Sequence, residues 1–250
     1  MSEHKKIALV TGASAGLGAE FCRQLAPRCD VIIGVARRGD RLAELAQELA
    51  GSVEFHVLEA DLNSIEGVAR TMETLRQKGP VDYLVNNAGF STYGNFENLQ
   101  IDTQRDMVGL HIDATITLCR AAVPYMRERG GGHIINVSSL GAFLPGKGLA
   151  VYGATKAFLN YFSQALHTEL LGSGIEVQAL CPGYIHTEFH LEIEASGFDK
   201  SRVPEEFWMQ PQEVVRISLD ALGSGKVLVV PGQGNQTLAA SGLQQQLDLL

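Results

Sequence analysis

The residues best suited to chemistry are a tyrosine and a lysine four positions apart, Tyr152 and Lys156, in the segment YGATK. Four positions are close to one turn of an α-helix, so the two side chains lie on the same helical face. Tyrosine has an ordinary pKa of about 10 and is a poor base at neutral pH, but a neighbouring ammonium group favours the phenolate. The pair predicts an acid–base centre for an alcohol or a carbonyl compound, in which Lys156 lowers the pKa of Tyr152.

A glycine-rich segment near the start of the chain predicts a nucleotide site. An apolar run is followed by TGASAGLG, which places Gly12, Gly16 and Gly18 ahead of a helical pattern. Glycines permit a tight turn and let the backbone approach a pyrophosphate, which binds at the positively polarised N-terminus of the helix. The alternative is a glycine turn that binds nothing, but the position directly after the first predicted strand argues against it.

The end of the second predicted strand, GVARR, indicates which dinucleotide binds. An acidic residue about 20 positions after the glycines would accept hydrogen bonds from the adenosine ribose. Here Ala36 occupies that position, and Arg37 and Arg38 follow it. Because a guanidinium group suits a 2′-phosphate, NADP(H) is favoured over NAD(H), with Arg37 as the expected ligand. At least one of the two arginines is expected to lie in a solvated turn.

The elements that must position these residues form a regular series. Short β-branched runs alternate with longer amphipathic stretches, which predicts a single-domain, Rossmann-like α/β fold over residues 1–250, with a doubly wound parallel sheet of about seven strands and helices on both faces. Residues 184–210 lack a clean period and are predicted to form a substrate lid. The predicted strands are 7–10, 31–35, 53–58, 82–85, 133–137, 175–180 and 226–230, and the predicted helices are 17–28, 40–50, 65–78, 103–129, 150–171 and 211–222.

Composition narrows the classes of partner. A formal charge of −8 without basic runs argues against nucleic acid and anionic membranes. No signal peptide is expected at MSEHKK, and no stretch approaches the roughly 18 apolar residues of a membrane helix. The four cysteines are scattered without a CxxC motif or a nearby histidine, so no metal site is predicted. Buried, reduced thiols in a cytoplasmic protein are expected.

A series of motifs in order along nearly the whole chain resembles the short-chain dehydrogenase/reductase family. After TGASAGLG come Asp61-Leu62, Asn86-Asn87-Ala88-Gly89, a serine after the fifth strand, YGATK, and Pro182-Gly183 with Thr187. The resemblance implies an NADP(H)-dependent oxidoreductase that interconverts a carbonyl and an alcohol by hydride transfer. Tyr152 would donate the proton in reduction and accept it in oxidation.

The resemblance also assigns roles to individual residues. The family spacing of thirteen residues before the tyrosine selects Ser139 over Ser138 as the contact to the substrate oxygen. Lys156 would hold the nicotinamide ribose, and the protein would supply orientation and electrostatics. The implied cofactor-binding residues are Gly12, Ser14, Ala15, Gly16, Leu17, Gly18, Arg37, Arg38, Asp61, Leu62, Asn87, Ala88, Gly89, Tyr152, Lys156, Pro182, Gly183, Ile185 and Thr187.

One position departs from the family pattern. The family usually carries an asparagine in the long helix before the fifth strand, where this chain has His111. The asparagine acts largely through its main-chain carbonyl, which holds a water beside the lysine, and a histidine retains that carbonyl. The imidazole ring is either a further catalytic group in a proton relay or a neutral packing residue. We favour packing or a carbonyl-only role for His111.

Aromatic residues after the fourth, fifth and sixth strands predict the substrate class, because open α/β sheets bind ligands at this edge. An apolar or aromatic ketone, aldehyde, alcohol or acyl chain is expected to fit better than a sugar phosphate. The pocket candidates, several of which must belong to the core, are Phe90, Tyr93, Phe96, Phe143, Leu144, Tyr184, Phe189, Phe198, Phe207 and Trp208.

Two long helical patterns, 103–129 and 150–171, carry more apolar residues than one buried face needs, which predicts a homodimer or homotetramer. Two other function classes stay open. One is an enzyme that uses the same fold for epimerisation or dehydration. The other is a non-catalytic dinucleotide-binding or sensing protein, for which His111 is the only indication.

Overall fold

The structure is a computed structural model that describes residues 5–189 and 198–250. Seven parallel strands form the main sheet in the order β3-β2-β1-β4-β5-β6-β9, and two further strands, β7 and β8, pair separately. The strands are β1 (Ile7–Thr11), β2 (Val31–Ala36), β3 (Glu54–Glu59), β4 (Tyr83–Asn86), β5 (Gly132–Val137), β6 (Ile175–Leu180), β7 (Tyr184–Ile185), β8 (Trp208–Met209) and β9 (Leu228–Val229).

The helices lie on both faces of the sheet, as predicted. One hydrophobic cluster includes Phe21, Leu42 and Val214 on one face, and a second includes Leu75 and Leu118 on the other. The helices are α1 (Gly16–Leu25), α2 (Gly39–Glu48), α3 (Ile65–Lys78), α4 (Ile101–Val108), α5 (Ala114–Arg129), α6 (Ala150–Glu169), α7 (Pro211–Asp220) and α8 (Gln233–Leu247).

The strand order sets the position of the site. Every residue of β1 and β2 is buried, as expected for strands covered by helices on both sides. The chain runs outward from β1 to the edge strand β3 and then returns to β4 on the other side of β1. This reversal opens a crevice at the carboxyl ends of β1 and β4, where doubly wound sheets bind their ligands.

The predicted helix 103–129 differs from the structure. It is divided into α4 and α5 by a π-helical turn, Gly109–Asp113, in which the N–H of Ala114 donates to the carbonyl oxygen of Gly109. Such a turn holds one residue more than an α-helical turn. It places His111 at the centre of the irregularity, which the apolar periodicity alone did not indicate.

The C-terminal helix α8 was not predicted, and the predicted strand 226–230 is reduced to Leu228–Val229. Helix α8 buries small residues, Asn235, Ala239 and Gly242, instead of a stripe of large apolar ones. A Cβ atom on Gly242 would lie 2.3 Å from the carbonyl oxygen of Phe143, so close packing requires glycine there. A helix that packs through small residues gives only a weak apolar period.

Of the predicted lid, 184–210, residues 190–197 lie outside the described part of the chain. In the rest, β7 pairs with β8 in parallel, which joins the two ends of the segment. The assignment as a lid stays a prediction. Among the helices in the two described ranges, none combines the length and apolar character that a bilayer crossing needs. All four cysteines are free and buried.

Candidate active site

The glycine-rich loop between β1 and α1 has the backbone that a pyrophosphate site needs. Gly12 and Gly16 have φ angles of +66° and +54°, which favour glycine. A Cβ atom on Gly18 would lie 2.2 Å from the carbonyl oxygen of Gly12, so the loop and the helix approach too closely for a side chain. Ala15 is the N-cap and has no side-chain acceptor, while Leu17 turns into the core. The first N–H groups of α1 therefore suit a bound phosphate.

The Asn-Asn-Ala-Gly motif after β4 is fastened to this loop. The hydroxyl oxygen of Thr11 accepts hydrogen bonds from the backbone N–H groups of Asn87 and Ala88, both at 2.9 Å. The side-chain amide of Asn87 donates to the carbonyl oxygen of Thr11, also at 2.9 Å. These bonds cross the point at which the strand order reverses, and they fix one wall of the crevice.

Ser139, Tyr152 and Lys156 come together at the carboxyl end of β5. Gly141 lies between the first two: a Cβ atom on it would be 3.4 Å from Ser139 Oγ and 3.6 Å from Tyr152 Cε1. Lys156 Nζ lies 5.6 Å from the centroid of the Tyr152 ring and donates to the carbonyl oxygen of Val137 at 2.9 Å. The three predicted catalytic side chains thus share one site.

The structure distinguishes the two adjacent serines. Ser138 is buried, and its hydroxyl donates to the carbonyl oxygen of Lys156 at 2.9 Å, which anchors α6 to β5. Ser139 keeps partial exposure, and its Oγ accepts the N–H of Gly141 at 3.0 Å. Ser139 is therefore the serine that faces the crevice.

The expected effect of Lys156 on Tyr152 is corrected by the structure. Burial raises the pKa of Tyr152 to about 12, and a hydrogen bond from Ser139 offsets this only in part. Burial also lowers the pKa of Lys156 to about 7, opposed weakly by Cys181. Desolvation disfavours the charged form of both groups. Tyr152 is consequently a protonated phenol at neutral pH, which is the form that donates a proton.

His111 is buried, and both of its ring nitrogens are hydrogen-bonded. The N–H of Phe90 donates to Nε2 at 3.2 Å, and Nδ1 lies 2.9 Å from the hydroxyl oxygen of Thr155. That hydroxyl donates its single proton to the carbonyl oxygen of Tyr152 at 2.8 Å, so it must accept from Nδ1–H. Burial first, and the charge of Lys156 second, hold the pKa of His111 well below its usual range.

These contacts define one neutral tautomer of His111 and favour its packing role, because no ring nitrogen is left for a relay. Gly89 lies against the ring, since a Cβ atom there would be 2.6 Å from Nε2. Sequence reasoning missed Thr155, although it lies three residues after Tyr152 and so shares its side of the helix.

Three arginines follow β2, two directly after the strand and one in the first turn of α2, and one of them contacts the glycine loop. Arg38 Nε donates to Ser14 Oγ at 3.3 Å, and Arg38 also pairs with Glu188 at 3.2 Å. Arg41, which sequence reasoning missed, donates to both oxygens of Glu188 at 2.7 and 2.9 Å. Arg37 is exposed, and within the described ranges its side chain has no hydrogen bond or ion pair. The structure therefore brings Arg38, and not Arg37, to the predicted 2′-phosphate end.

The Asp61-Leu62 motif after β3 is divided between surface and core. Asp61 is exposed, and its carboxylate accepts the N–H of Asn63 at 3.0 Å. Leu62 is buried in the second hydrophobic cluster, so its side chain supports the sheet. The N-cap of the next helix is Ser64, which accepts the N–H of Gly67 at 3.0 Å.

The motif after β6 reaches both sides of the crevice. The carbonyl oxygen of Pro182 accepts the N–H of Leu140 at 2.8 Å, next to Ser139. Gly183 packs against α8, and Ile185 is buried. Thr187 lies over the glycine loop: a Cβ atom on Gly16 would be 3.4 Å from its methyl carbon.

Four of the predicted pocket residues form one aromatic cluster. Phe198 lies 5.7 Å from Tyr93 and 5.9 Å from Tyr184, between ring centroids, and Tyr184 lies 5.4 Å from Trp208. Separately, the Phe189 ring lies 6.3 Å from that of Tyr152. One aromatic ring, that of Phe189, therefore lies close to Tyr152.

The other pocket candidates have different positions. Phe90 lies beside the His111 ring, with 6.2 Å between centroids. Phe143 is buried in a cluster that Leu144 packs against, Phe207 packs against Gly234 of α8, and Phe96 is 58% exposed. Phe143 thus belongs to the core and Phe96 to the surface. Their positions after a strand in the sequence could not distinguish these locations from a pocket.

Known proteins resemble this chain in both sequence and structure. A sequence model of the family described as short chain dehydrogenase matches residues 6–196. A probable NADP-dependent dehydrogenase of Haemophilus influenzae is 34% identical over 221 residues, which are 85% of this chain and 85% of that protein.

Two solved structures share the whole architecture. A short-chain dehydrogenase from Sphingobium yanoikuyae in complex with NADPH has a TM-score of 0.85 and 32% identity, with 97% of this chain and 94% of that chain covered. The bulky-bulky ketone specific alcohol dehydrogenase from Comamonas testosteroni has a TM-score of 0.80 and 29% identity, with 98% and 94% covered. The resemblance recognised from the motifs is confirmed, and the chain belongs to the short-chain dehydrogenase family.

Proposed function

We propose that this short-chain dehydrogenase is an NADP(H)-dependent oxidoreductase that interconverts a carbonyl and an alcohol, with Tyr152 as the proton donor in reduction. The observation that carries the proposal is the meeting of Ser139, Tyr152 and Lys156 beside the glycine loop. The named NADP-dependent relative and the NADPH complex of the Sphingobium enzyme support the choice of cofactor.

The residues present fit a dinucleotide with a 2′-phosphate. The glycine loop is open to a pyrophosphate, and Arg38 lies against Ser14 with no acidic side chain at Ala36. Lys156, beside Tyr152, would hold the nicotinamide ribose, as the resemblance to the family implies. When bound, the cofactor supplies or accepts the hydride.

The chain's own residues manage the proton and the substrate oxygen. Tyr152 is protonated at neutral pH because of its burial, and it is therefore ready to donate to a carbonyl oxygen. The Oγ atom of Ser139 accepts from the N–H of Gly141, which leaves the serine proton for the tyrosine oxygen or for a substrate oxygen. Two donors would then converge on the oxygen that gains negative charge in reduction.

The aromatic cluster and the ring of Phe189 near Tyr152 support an apolar or aromatic substrate. Tyr93, Tyr184, Phe198 and Trp208 form one cluster, and the Phe189 ring is tilted against the Tyr152 ring with 6.3 Å between centroids. The Comamonas neighbour acts on bulky ketones, which agrees with a pocket of this kind. We propose a ketone or aldehyde with an aromatic or branched apolar group, and residues 184–210 as a lid over it.

The test is the consumption of NADPH with a panel of aromatic ketones, aliphatic aldehydes and acyl thioesters, with a sugar phosphate as the polar comparison. We expect the aromatic ketones to be reduced fastest and the sugar phosphate not at all. Tight binding of NADPH, with no oxidation of NADPH in the presence of any of the carbonyl compounds, would indicate a sensing protein. Conversion of a substrate without net oxidation of NADPH would indicate an epimerase or dehydratase.

We also propose that α5 and α6 pair with their copies in a second subunit. On α6, Tyr161 is 77% exposed and Phe158 stacks on Phe162 with 5.7 Å between centroids, while Tyr125 of α5 is partly exposed. Large exposed aromatic groups on neighbouring helices favour an interface. A homodimer or homotetramer is expected in solution at micromolar concentration, and a monomeric mass from light scattering would contradict it.

A further inference from the structure

A carboxylate from a distant part of the chain lies at the arginines that follow β2. Glu188 lies three residues after Ile185, the last residue of β7, and it follows Thr187, which lies over the glycine loop. Arg41 donates to both of its oxygens at 2.7 and 2.9 Å, and Arg38 donates to one at 3.2 Å. Arg38 also donates to Ser14 Oγ at 3.3 Å. These contacts join the glycine loop, the start of α2 and the segment after β7.

Two guanidinium groups and a hydroxyl beside a glycine loop form a donor set for a phosphate monoester. Guanidinium N–H groups bind carboxylates and phosphates in the same forked manner. A phosphate monoester carries about −1.5 to −2 charges at pH 7, whereas a carboxylate carries one. A 2′-phosphate at Arg38 and Arg41 would therefore need the N–H groups that Glu188 holds in the structure.

We propose that Glu188 is a specificity-determining residue whose carboxylate competes with the 2′-phosphate of NADP(H) for Arg38 and Arg41. NAD(H), which has no 2′-phosphate, does not enter this competition. The inference rests on the proposed NADP(H) function and deepens it. It adds Arg41 as a second phosphate ligand and Glu188 as the group that sets how strongly the phosphate is preferred.

The exposure of the three side chains sets the size of the effect. The side chains of Arg38, Arg41 and Glu188 are 45%, 40% and 51% exposed. Ion pairs this accessible to water are weak, so the contact is readily exchanged. Apparent affinity is multiplied by the fraction of time that the arginines are free of the competitor, so a weak competitor lowers it by about two- to fivefold.

The experiment is a calorimetric titration of the full-length protein with 2′,5′-ADP and with 5′-AMP, which carry no nicotinamide and undergo no redox reaction. We expect Glu188→Gln to bind 2′,5′-ADP about two- to fivefold more tightly than the wild type. Its affinity for 5′-AMP should stay unchanged, because that ligand does not need the two arginines.

Asp40→Asn is the matched control. Asp40 lies in the first turn of α2, close enough to Arg41 to act on its charge, and within the described residues it has no hydrogen bond to either arginine. The substitution removes the same charge without freeing a guanidinium donor. We expect it to change the affinity for 2′,5′-ADP less than Glu188→Gln does.

Four results would overturn the competition. Weaker binding of 2′,5′-ADP by Glu188→Gln would mean that Glu188 orients the arginines for the phosphate. An equal gain in Asp40→Asn, or an equal gain for both nucleotides, would mean a general effect of net charge. If the wild type prefers 2′,5′-ADP but Glu188→Gln binds it no more tightly, only the competition is contradicted. If both proteins bind 2′,5′-ADP and 5′-AMP with equal affinity, the proposed NADP(H) function itself is contradicted.

Discussion

The two ends of the crevice are built in different ways. Around Tyr152, the supporting side chains of His111, Thr155 and Lys156 are at most 5% exposed, and each is held by a defined hydrogen bond. Around Ser14, the arginines and Glu188 are exposed and share partners. Removing a buried polar partner leaves another group unsatisfied, whereas an exposed ion pair contributes little. Under the proposed function, proton transfer would therefore take place among fixed side chains, and cofactor choice would depend on contacts that can exchange.

The largest effect is expected at the buried end, from Tyr152→Phe. The substitution removes the phenol proton donor while it retains the ring that packs at the site. We expect turnover to fall by a factor on the order of a hundred or more, with NADPH affinity nearly unchanged. Steady-state rates and a fluorescence titration with NADPH measure the two quantities. If most activity remained, the proton would have to come from another group.

Lys156 should give the next largest effect, together with a pH dependence. Lys156→Ala is expected to lower both NADPH affinity and turnover, the latter by about tenfold or more. Burial lowers the pKa of Lys156 to about 7, so its ammonium form is present below that pH and is lost above it. The rate of carbonyl reduction should therefore fall as the pH rises through about 7. A flat profile between pH values of about 6 and 9 would show that the charge of Lys156 is not required.

His111 tests whether the buried hydrogen bonds act as supports. In His111→Asn, the side-chain amide can replace Nδ1–H as the donor to Thr155, so activity and the pH profile should change little. In His111→Leu, both Thr155 and the N–H of Phe90 lose their partner, which should cost about 1–3 kcal/mol in the free energy of unfolding. Urea denaturation and pH–rate profiles of the two variants provide the measurement. Loss of one limb of the profile in His111→Asn, with cofactor binding intact, would mean that the ring does relay protons.

At the exposed end the effects should fall on cofactor affinity alone, and the smallest of all is expected at Arg37. Arg38→Ala should weaken NADPH binding by about 1.5–3 kcal/mol and change NADH binding little, because only NADPH brings a charged acceptor. The sequence pointed to Arg37, but in the structure it is Arg38 that donates to Ser14, and within the described residues Arg37 makes no such bond. Arg37→Ala should change either affinity by about 0.5 kcal/mol at most. A larger loss in Arg37→Ala than in Arg38→Ala would return the 2′-phosphate to the site predicted from the sequence.

Much of the fold could be predicted because its signals are local. Buried parallel strands appear as short β-branched runs, so the strands from β1 to β6 lie within a residue or two of their predicted positions. The family motifs likewise predicted that Ser139, Tyr152 and Lys156 share one site. Helix α8 gave no comparable signal, because it packs through small residues against a backbone carbonyl.

What could not be predicted depends on contacts between distant parts of the chain. The tautomer of His111 is set by Phe90 and Thr155, which are 21 and 44 positions away. The pKa of Tyr152 depends on burial, which spacing to a lysine cannot reveal. Two adjacent arginines look alike in a sequence, and only the direction of the chain at the start of α2 places Arg38 beside the glycine loop.

The separation of proton transfer from cofactor choice is tested most directly by one comparison of kcat/KM. The wild type, Tyr152→Phe and Arg38→Ala are assayed with the same aromatic ketone, each with NADPH and with NADH. We predict that Tyr152→Phe lowers both values by the same factor and leaves their ratio unchanged. Arg38→Ala should lower the ratio of NADPH to NADH by about tenfold or more, with kcat at saturating NADPH retained. A changed ratio in Tyr152→Phe, or an unchanged ratio in Arg38→Ala, would contradict the account.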